Sequence, residues 1–270
     1  MICNTPIVLL DEVENAGIYR TRALEPVTRV DLHTGDVVSV VGPTGSGKTT
    51  LINDIELFAD ANTPTGRRIL INGARPPAEY RDDPARNPIA LITQHTTFLS
   101  DLPVEEFLAT HARIRSAGGA QVAGLLERTL AFANQLTGEP ILLDCRMTEL
   151  SGGQTRALLI ADATIICNTP IVLLDEVENA GIYRTRALEL LREYRKIFIF
   201  VTHDPRIALL SDYRMVMQGG TVTKVLQTDE DERRLFVKVS QLDALLSGLR
   251  EQMRQGQRLV MRELEGWACN

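Results

Sequence analysis

The chain changes hydrophobic period several times. Residues 28–41 read as two short strands around a Thr34-Gly35-Asp36 turn. The second, Val37 to Val41, is almost wholly apolar, as a strand buried on both faces should be. A helix is predicted from Lys48 through about Phe58. Further strands are predicted at 67–73, 89–93, 171–174, 197–201 and 221–226, the last following the Gly219-Gly220 turn. Between 103 and 138 the pattern is helical: Val104, Phe107 and Leu108, then Leu125, Leu126 and Leu130, recur at helix spacing around a break at Gly118-Gly119. Helices are also expected from Ser151 to about Thr164 and over 187–192. Strands alternating with helices predict an α/β fold with a mainly parallel sheet. Beyond Asp229 the pattern becomes a separate helical tail. Leu235, Val239, Leu242, Leu246, Leu249 and Met253 alternate steps of four and three, a coiled-coil seam of about three heptads. Such a seam packs on its own domain or meets a dimer partner, and Gly248 and Gly256 weaken the helix.

One pattern is repeated outright. Residues 2–25 recur without change at 166–189. Old duplications diverge because many surface substitutions are nearly neutral. Perfect identity therefore reads as a recent or artefactual copy, not as two working sites. Asp11 and Glu12, the twins of Asp175 and Glu176, have no glycine-rich loop at a useful distance before them and read as inert. Their strand, IVLL at residues 7–10, is expected at a sheet edge.

Composition narrows the classes. Lys plus Arg is 29 and Asp plus Glu is 35, a net charge of −6. That balance speaks against broad electrostatic binding of nucleic acid. Cys3, Cys145, Cys167 and Cys269 form no CxxC pair and no zinc spacing, and read as reduced thiols. No apolar run is long enough to cross a bilayer, and the apolar stretch 6–10 lacks the basic flank of a signal peptide. A cytoplasmic protein is expected, peripheral at the inner face of the membrane if a permease is its partner.

The candidate chemistry begins at the end of the apolar strand. Gly42-Pro43-Thr44-Gly45-Ser46-Gly47-Lys48-Thr49-Thr50 fits the phosphate-binding loop in full. Its glycines let N–H groups turn inward around phosphate oxygens, and the following helix adds partial positive charge. Lys48 is suited to neutralising the β- and γ-phosphates, and the Thr49 hydroxyl to holding Mg²⁺. A second apolar strand, Ile171 to Leu174, ends in Asp175 and Glu176. A carboxylate there can hold Mg²⁺, and the next can accept a proton from an attacking water.

Leu150-Ser151-Gly152-Gly153-Gln154 then identifies a resemblance. LSGGQ is the signature of the ATP-binding cassette (ABC) ATPases, and all five positions match, 25 residues before Asp175. The resemblance covers roughly residues 26–228. It implies a P-loop NTPase fold: a mainly parallel sheet, an antiparallel β layer and an inserted helical subdomain, here with a C-terminal helix added. It divides the chain into a nucleotide-binding domain at 1–228 and a helical extension at 229–270. It implies that Gln94 is the Q-loop glutamine, a Mg²⁺ and water ligand, and that His203, in VTHDP, is the switch histidine at the γ-phosphate. It implies an adenine-stacking aromatic, for which Tyr19 is the candidate, the only aromatic before the P-loop. It also implies ATP sandwiched between two cassettes, the P-loop of one facing Ser151 and Gly153 of the other, in a homodimer or with a related cassette.

Where the family mostly reads PTSALD after the two acids, this chain reads Val177-Glu178-Asn179-Ala180-Gly181-Ile182, without the usual aspartate. Two functions stay open. One is the ATPase subunit of a transporter with a separate integral-membrane permease. The other is a soluble ABC-type ATPase that remodels or matures a protein partner. The 56 residues from Gln94 to Leu150 suit a compact helical subdomain, the form found in transporter cassettes.

Overall fold

The computed structural model describes residues 7–10, 29–83, 86–115, 122–176 and 190–260. Tyr19, Asp11, Glu12, the stretch 177–183 and Gly118-Gly119 lie outside them, as does all of the predicted 187–192 helix before residue 190. The chain divides into two compact units, Met1–Thr228 and Asp229–Asn270.

The first unit is built on two sheets. Strands β1 (Ile7–Leu10), β2 (Arg29–Leu32) and β4 (Arg68–Ile71) form an antiparallel sheet in the order β2-β1-β4. Strands β3 (Val37–Val41), β5 (Ile89–Thr93), β6 (Ile171–Asp175), β7 (Ile197–Val201), β8 (Tyr213–Gln218) and β9 (Thr221–Gln227) form the other, in the order β5-β6-β7-β3-β8-β9. All its pairings are parallel except β8 with β9. The fold is α/β, as the alternation of elements predicts. Two details differ. The strands around Thr34-Gly35-Asp36 do not pair with each other; they enter different sheets. The IVLL strand at residues 7–10 is central rather than at an edge: each of its residues is in register with both β2 and β4.

Helix α1 (Lys48–Glu56) follows β3, and α2 (Glu79–Asp82) is a single turn. Helices α3 (Val104–Arg115), α4 (Val122–Leu136) and α5 (Gly152–Ala161) make the helical layer between β5 and β6. The helix predicted from Ser151 to about Thr164 is α-helical only to Ala161. A π-helical turn, Asp162–Ile166, completes it. A short α6 (Pro205–Leu210) follows β7.

The sheet's alternate residues serve two cores. Val172, Leu174, Phe198 and Phe200 join the helical layer. Leu173, Ile197, Ile199 and Val201 join α1, Val30, Leu32 and Ile69. Strands β6 and β7 are thus buried on both faces, which is why their sequences show no alternation. Each such side chain contributes about 1.5–3 kcal/mol by leaving water.

The second unit contains α7 (Glu230–Arg254). The Asp229 side chain accepts from the Glu232 N–H, and Glu230, Asp231 and Glu232 complement the positive end of the helix. Gly248 is accommodated within it, and Gly256, at φ 72°, stands just past its end. No residue of α7 is buried. No helix among the described residues is long and apolar enough to cross a membrane.

Candidate functional site

The parallel register places the candidate chemistry at one edge. Strand β3 ends at Val41 and passes into Gly42. Strand β7 ends at Val201, two residues before His203. Strand β6 ends at Asp175 and β5 at Thr93, just before Gln94. In the order β5-β6-β7-β3 these four carboxyl ends are neighbours, although the sequence separates them widely. This edge is where open α/β sheets present their ligands.

The phosphate loop is shaped by close backbone approach. A Cβ on Gly42 would stand 2.3 Å from the Met217 carbonyl oxygen and 2.7 Å from Ser46 Oγ. Only glycine fits there. Gly47 caps α1 at φ 92°, in the left-handed region, and packs against Gly220. Ser46 N–H donates to Pro43 O at 3.1 Å, and Gly220 N–H donates to Ser46 O at 3.0 Å. The β8–β9 turn therefore buttresses the loop from behind. Arg67 extends this support. It donates to Gly220 O and, at 2.8 Å, to Asp54 of α1, in a buried ion pair that also takes the Thr65 hydroxyl. Nothing in the sequence near Gly42–Thr50 signals either residue.

Helix α1 begins without a capping side chain, whereas Ser151, Asp204 and Asp229 cap α5, α6 and α7. Its first-turn N–H groups are left for an anion, and its dipole favours one. Lys48 is buried, and its Nζ rests on Gly42 O at 3.0 Å and Pro43 O at 3.2 Å. The loop thus supplies a buried cation and uncapped amides together, which fits a polyphosphate. Thr49 and Thr50 face solvent.

Asp175 is buried at the end of β6. Glu176 follows at φ 50°, left-handed for a residue with a side chain, at a cost of about 1–3 kcal/mol. Its N–H is held by Val201 O at 3.0 Å. That bond to the end of β7 turns the chain and brings Glu176 Oε1 to 3.4 Å from His203 Nε2. His203 is held in place by its flanks: Asp204 N–H donates to Thr202 Oγ1 at 2.9 Å, and Asp204 caps α6. The two residues that the sequence places 27 apart form one pair.

Gln94 is exposed, its amide 3.1 Å from His95 Nε2. Its backbone carbonyl accepts from Arg156, whose other nitrogen donates to Gly152 O at 3.0 Å. Arg156, which sequence reasoning does not single out, thus ties the glutamine loop to the start of α5. Ser151 and Gln154 form a reciprocal cap: Gln154 N–H donates to Ser151 Oγ at 3.3 Å, and Ser151 N–H donates to Gln154 Oε1 at 2.9 Å. Gln154 also donates to Pro140 O. Gly152 and Gly153 fill the first turn. Among the described residues no hydrogen bond joins Ser151–Gln154 to residues 42–50. Tyr19 lies outside the described residues.

Known proteins share this architecture. Residues 27–179 match the ABC transporter family. An uncharacterised ABC transporter ATP-binding protein of Methanocaldococcus jannaschii is 47% identical over 240 residues, 89% of this chain and 91% of that protein. The spermidine/putrescine import ATP-binding protein PotA of Mannheimia succiniciproducens is 28% identical over 90% of this chain, but the match spans only 62% of its own length. Among solved structures, CbiO1 from Clostridium perfringens, part of an ABC transporter complex, superposes with a TM-score of 0.64 at 18% identity, over 90% of this chain and 99% of that one, a likeness of fold. A relative nearly half identical along almost its whole length, together with the family match, places the chain in the ABC transporter family, as its ATP-binding, ATP-hydrolysing subunit.

Proposed function

We propose that Glu176 is the general base of ATP hydrolysis and that His203 positions it and meets the γ-phosphate. The observation that carries this reading is the Glu176–His203 pair, 3.4 Å apart, on the sheet edge that also ends in the phosphate loop. The triphosphate lies along Gly42–Thr50, with Lys48 released from its loop carbonyls to the β- and γ-oxygens. Glu176 takes a proton from water as the oxygen attacks the γ-phosphorus, and the bond to the β–γ bridging oxygen breaks, giving ADP and phosphate.

Thr49, Asp175 and Gln94 offer only oxygen donors, a set that suits Mg²⁺. Bound there, Mg²⁺ would neutralise charge between the β- and γ-phosphates. The capped but glycine-rich start of α5 is an incomplete anion site: Ser151 and Gly153 present a helix N-terminus that is not bonded to the chain's own phosphate loop. A second cassette completes it, with Ser151 and Gly153 of each copy closing on the other's nucleotide. ATP binding then closes the dimer, and hydrolysis reopens it. Opening and closing drive a separate integral-membrane permease, at whose cytoplasmic face the subunit sits.

The test compares ATP turnover and gel-filtration mass of the wild type and Glu176→Gln. The variant is expected to lose turnover and to accumulate as an ATP-bound dimer. Unchanged turnover removes Glu176 from this role.

A further inference from the structure

The π-helical turn at the end of α5 is unusual, and such turns recur at functional sites. Its i→i+5 bond runs from Cys167 N–H to Asp162 O, 2.9 Å. The widened turn brings the two side chains together, with Cys167 Sγ 3.7 Å from Asp162 Oδ2. A regular α-helix would turn positions five apart onto different faces. His111 arrives from α3. Its Nδ1 is 2.8 Å from Asp162 Oδ1, and its Nε2 is 3.9 Å from Cys167 Sγ. One nitrogen, one sulfur and one carboxylate oxygen from these residues lie within 4.8 Å of one another. Asp162 is buried, while His111 and Cys167 are half-buried, so the cluster is reachable from solvent. None of the three belongs to the nucleotide site.

The spacing has a chemical reading. With Zn–S near 2.3 Å and Zn–N near 2.0 Å, neighbouring ligands on a tetrahedral ion stand about 3.5 Å apart. The thiol lies close to that distance from the imidazole Nε2. The short Nδ1–Oδ1 contact is a hydrogen bond, the arrangement by which a carboxylate orients a metal-binding imidazole. A thiol with an imidazole selects a soft, zinc-class ion, unlike the all-oxygen set proposed for Mg²⁺.

We propose that Cys167, His111 and Asp162 form a second metal site, for a zinc-class divalent cation. Cys167 Sγ and His111 Nε2 make the protein bonds. Asp162 holds the imidazole from behind through its Nδ1 hydrogen bond, and water completes the shell. The ion clips α3 to the end of α5, elements 51 residues apart at His111 and Asp162. Binding to the folded chain alone stabilises it. The sequence hides the site because its ligands come from separate elements with no recognisable metal spacing.

The experiment uses the full chain, nucleotide-free and treated with chelator, titrated with Co²⁺. One Co²⁺ per chain is expected, with a thiolate-to-cobalt charge-transfer band that oxygen ligands at the nucleotide site cannot produce. Added Zn²⁺ should bleach the band. Cys167→Ser should abolish it, while Cys3→Ser, its repeat twin, and Cys145→Ser should keep it. Asp162→Asn should weaken Zn²⁺ binding about 10–100-fold. A wild type without the band, or a band that survives Cys167→Ser, overturns the proposal. If Cys167→Ser does not fold, as judged by ATP binding, alkylation of the wild type decides. Zn²⁺ should protect Cys167, mapped by mass spectrometry, and equal labelling with and without Zn²⁺ overturns the site.

Discussion

The same four residues, Ile-Val-Leu-Leu, form a strand twice in this chain, as β1 and as β6. Each copy is flanked by strands on both sides, yet the two settings have little else in common. In β1 the neighbours run antiparallel: Ile7 is in register with Leu32 and Ile71, and Leu10 with Arg29 and Arg68. In β6 they run parallel: Ile171 is in register with Ile89 and Ile197, and Leu174 with Ile92 and Phe200. Apolar, β-branched residues favour a pleated strand in both places. What differs is the surroundings. The helical layer from α3 to α5 supplies the long crossover that a parallel neighbour requires, and it covers one face of β6 while α1 covers the other. Local sequence therefore specifies a strand, and its neighbours specify direction, depth and chemistry.

The sharpest break of this comparison is catalytic. Glu176→Gln should lower turnover about 10²–10⁴-fold, the usual worth of a general base. Glu12→Gln, at the twin position, should leave ATP hydrolysis at the wild-type rate. A comparable loss from Glu12→Gln would overturn the assignment of the working copy.

Packing gives the next effect. Leu173→Ala and Leu174→Ala should each destabilise by about 2–5 kcal/mol in urea denaturation, since both faces of β6 are buried. In the sheet around β1 the effect should depend on position. Ile69 of β4, in register with Leu9, is buried, whereas Arg68, in register with Leu10, is only half-buried. Ile69→Ala should therefore cost more than Arg68→Ala. Equal costs there would mean that the antiparallel sheet has no single buried face.

The smallest effect concerns the helix that precedes β6. Ser151→Ala removes the cap of α5 and should cost about 1 kcal/mol of stability. Its effect on ATP-driven dimerisation should be larger than that stability loss explains, because Ser151 is proposed to face the partner's nucleotide. Dimer formation measured by gel filtration with ATP checks this.

Much of the site was legible along the chain, because it consists of short motifs whose residues are neighbours. Gly42–Thr50 and Leu150–Gln154 carry their chemistry in backbone conformation and adjacent side chains, and each can be read locally. The supports could not be read this way. Gly220 braces the phosphate loop at Ser46, 174 residues away, Arg67 reaches Gly220 across 153, and Arg156 reaches Gln94 across 62. A glycine turn and two surface-type arginines have no sequence pattern that marks such roles. The central place of β1 was hidden too, since four apolar residues do not reveal how many strands will pair with them.

By itself the sequence determined most of the strands and helices, the phosphate loop and the signature, because propensity, hydrophobic period and glycine spacing act over a few residues, while β8 and the short α2 and α6 were not marked. Only the tertiary structure decided that β5, β6, β7 and β3 lie side by side, so that Gln94, Glu176, His203 and Gly42 share one edge. Only it decided that two identical strands would differ in direction, and that His111, Asp162 and Cys167 would meet. Strand order and side-chain clusters depend on contacts between distant segments, and these form only when burial and hydrogen bonding are satisfied across the whole fold.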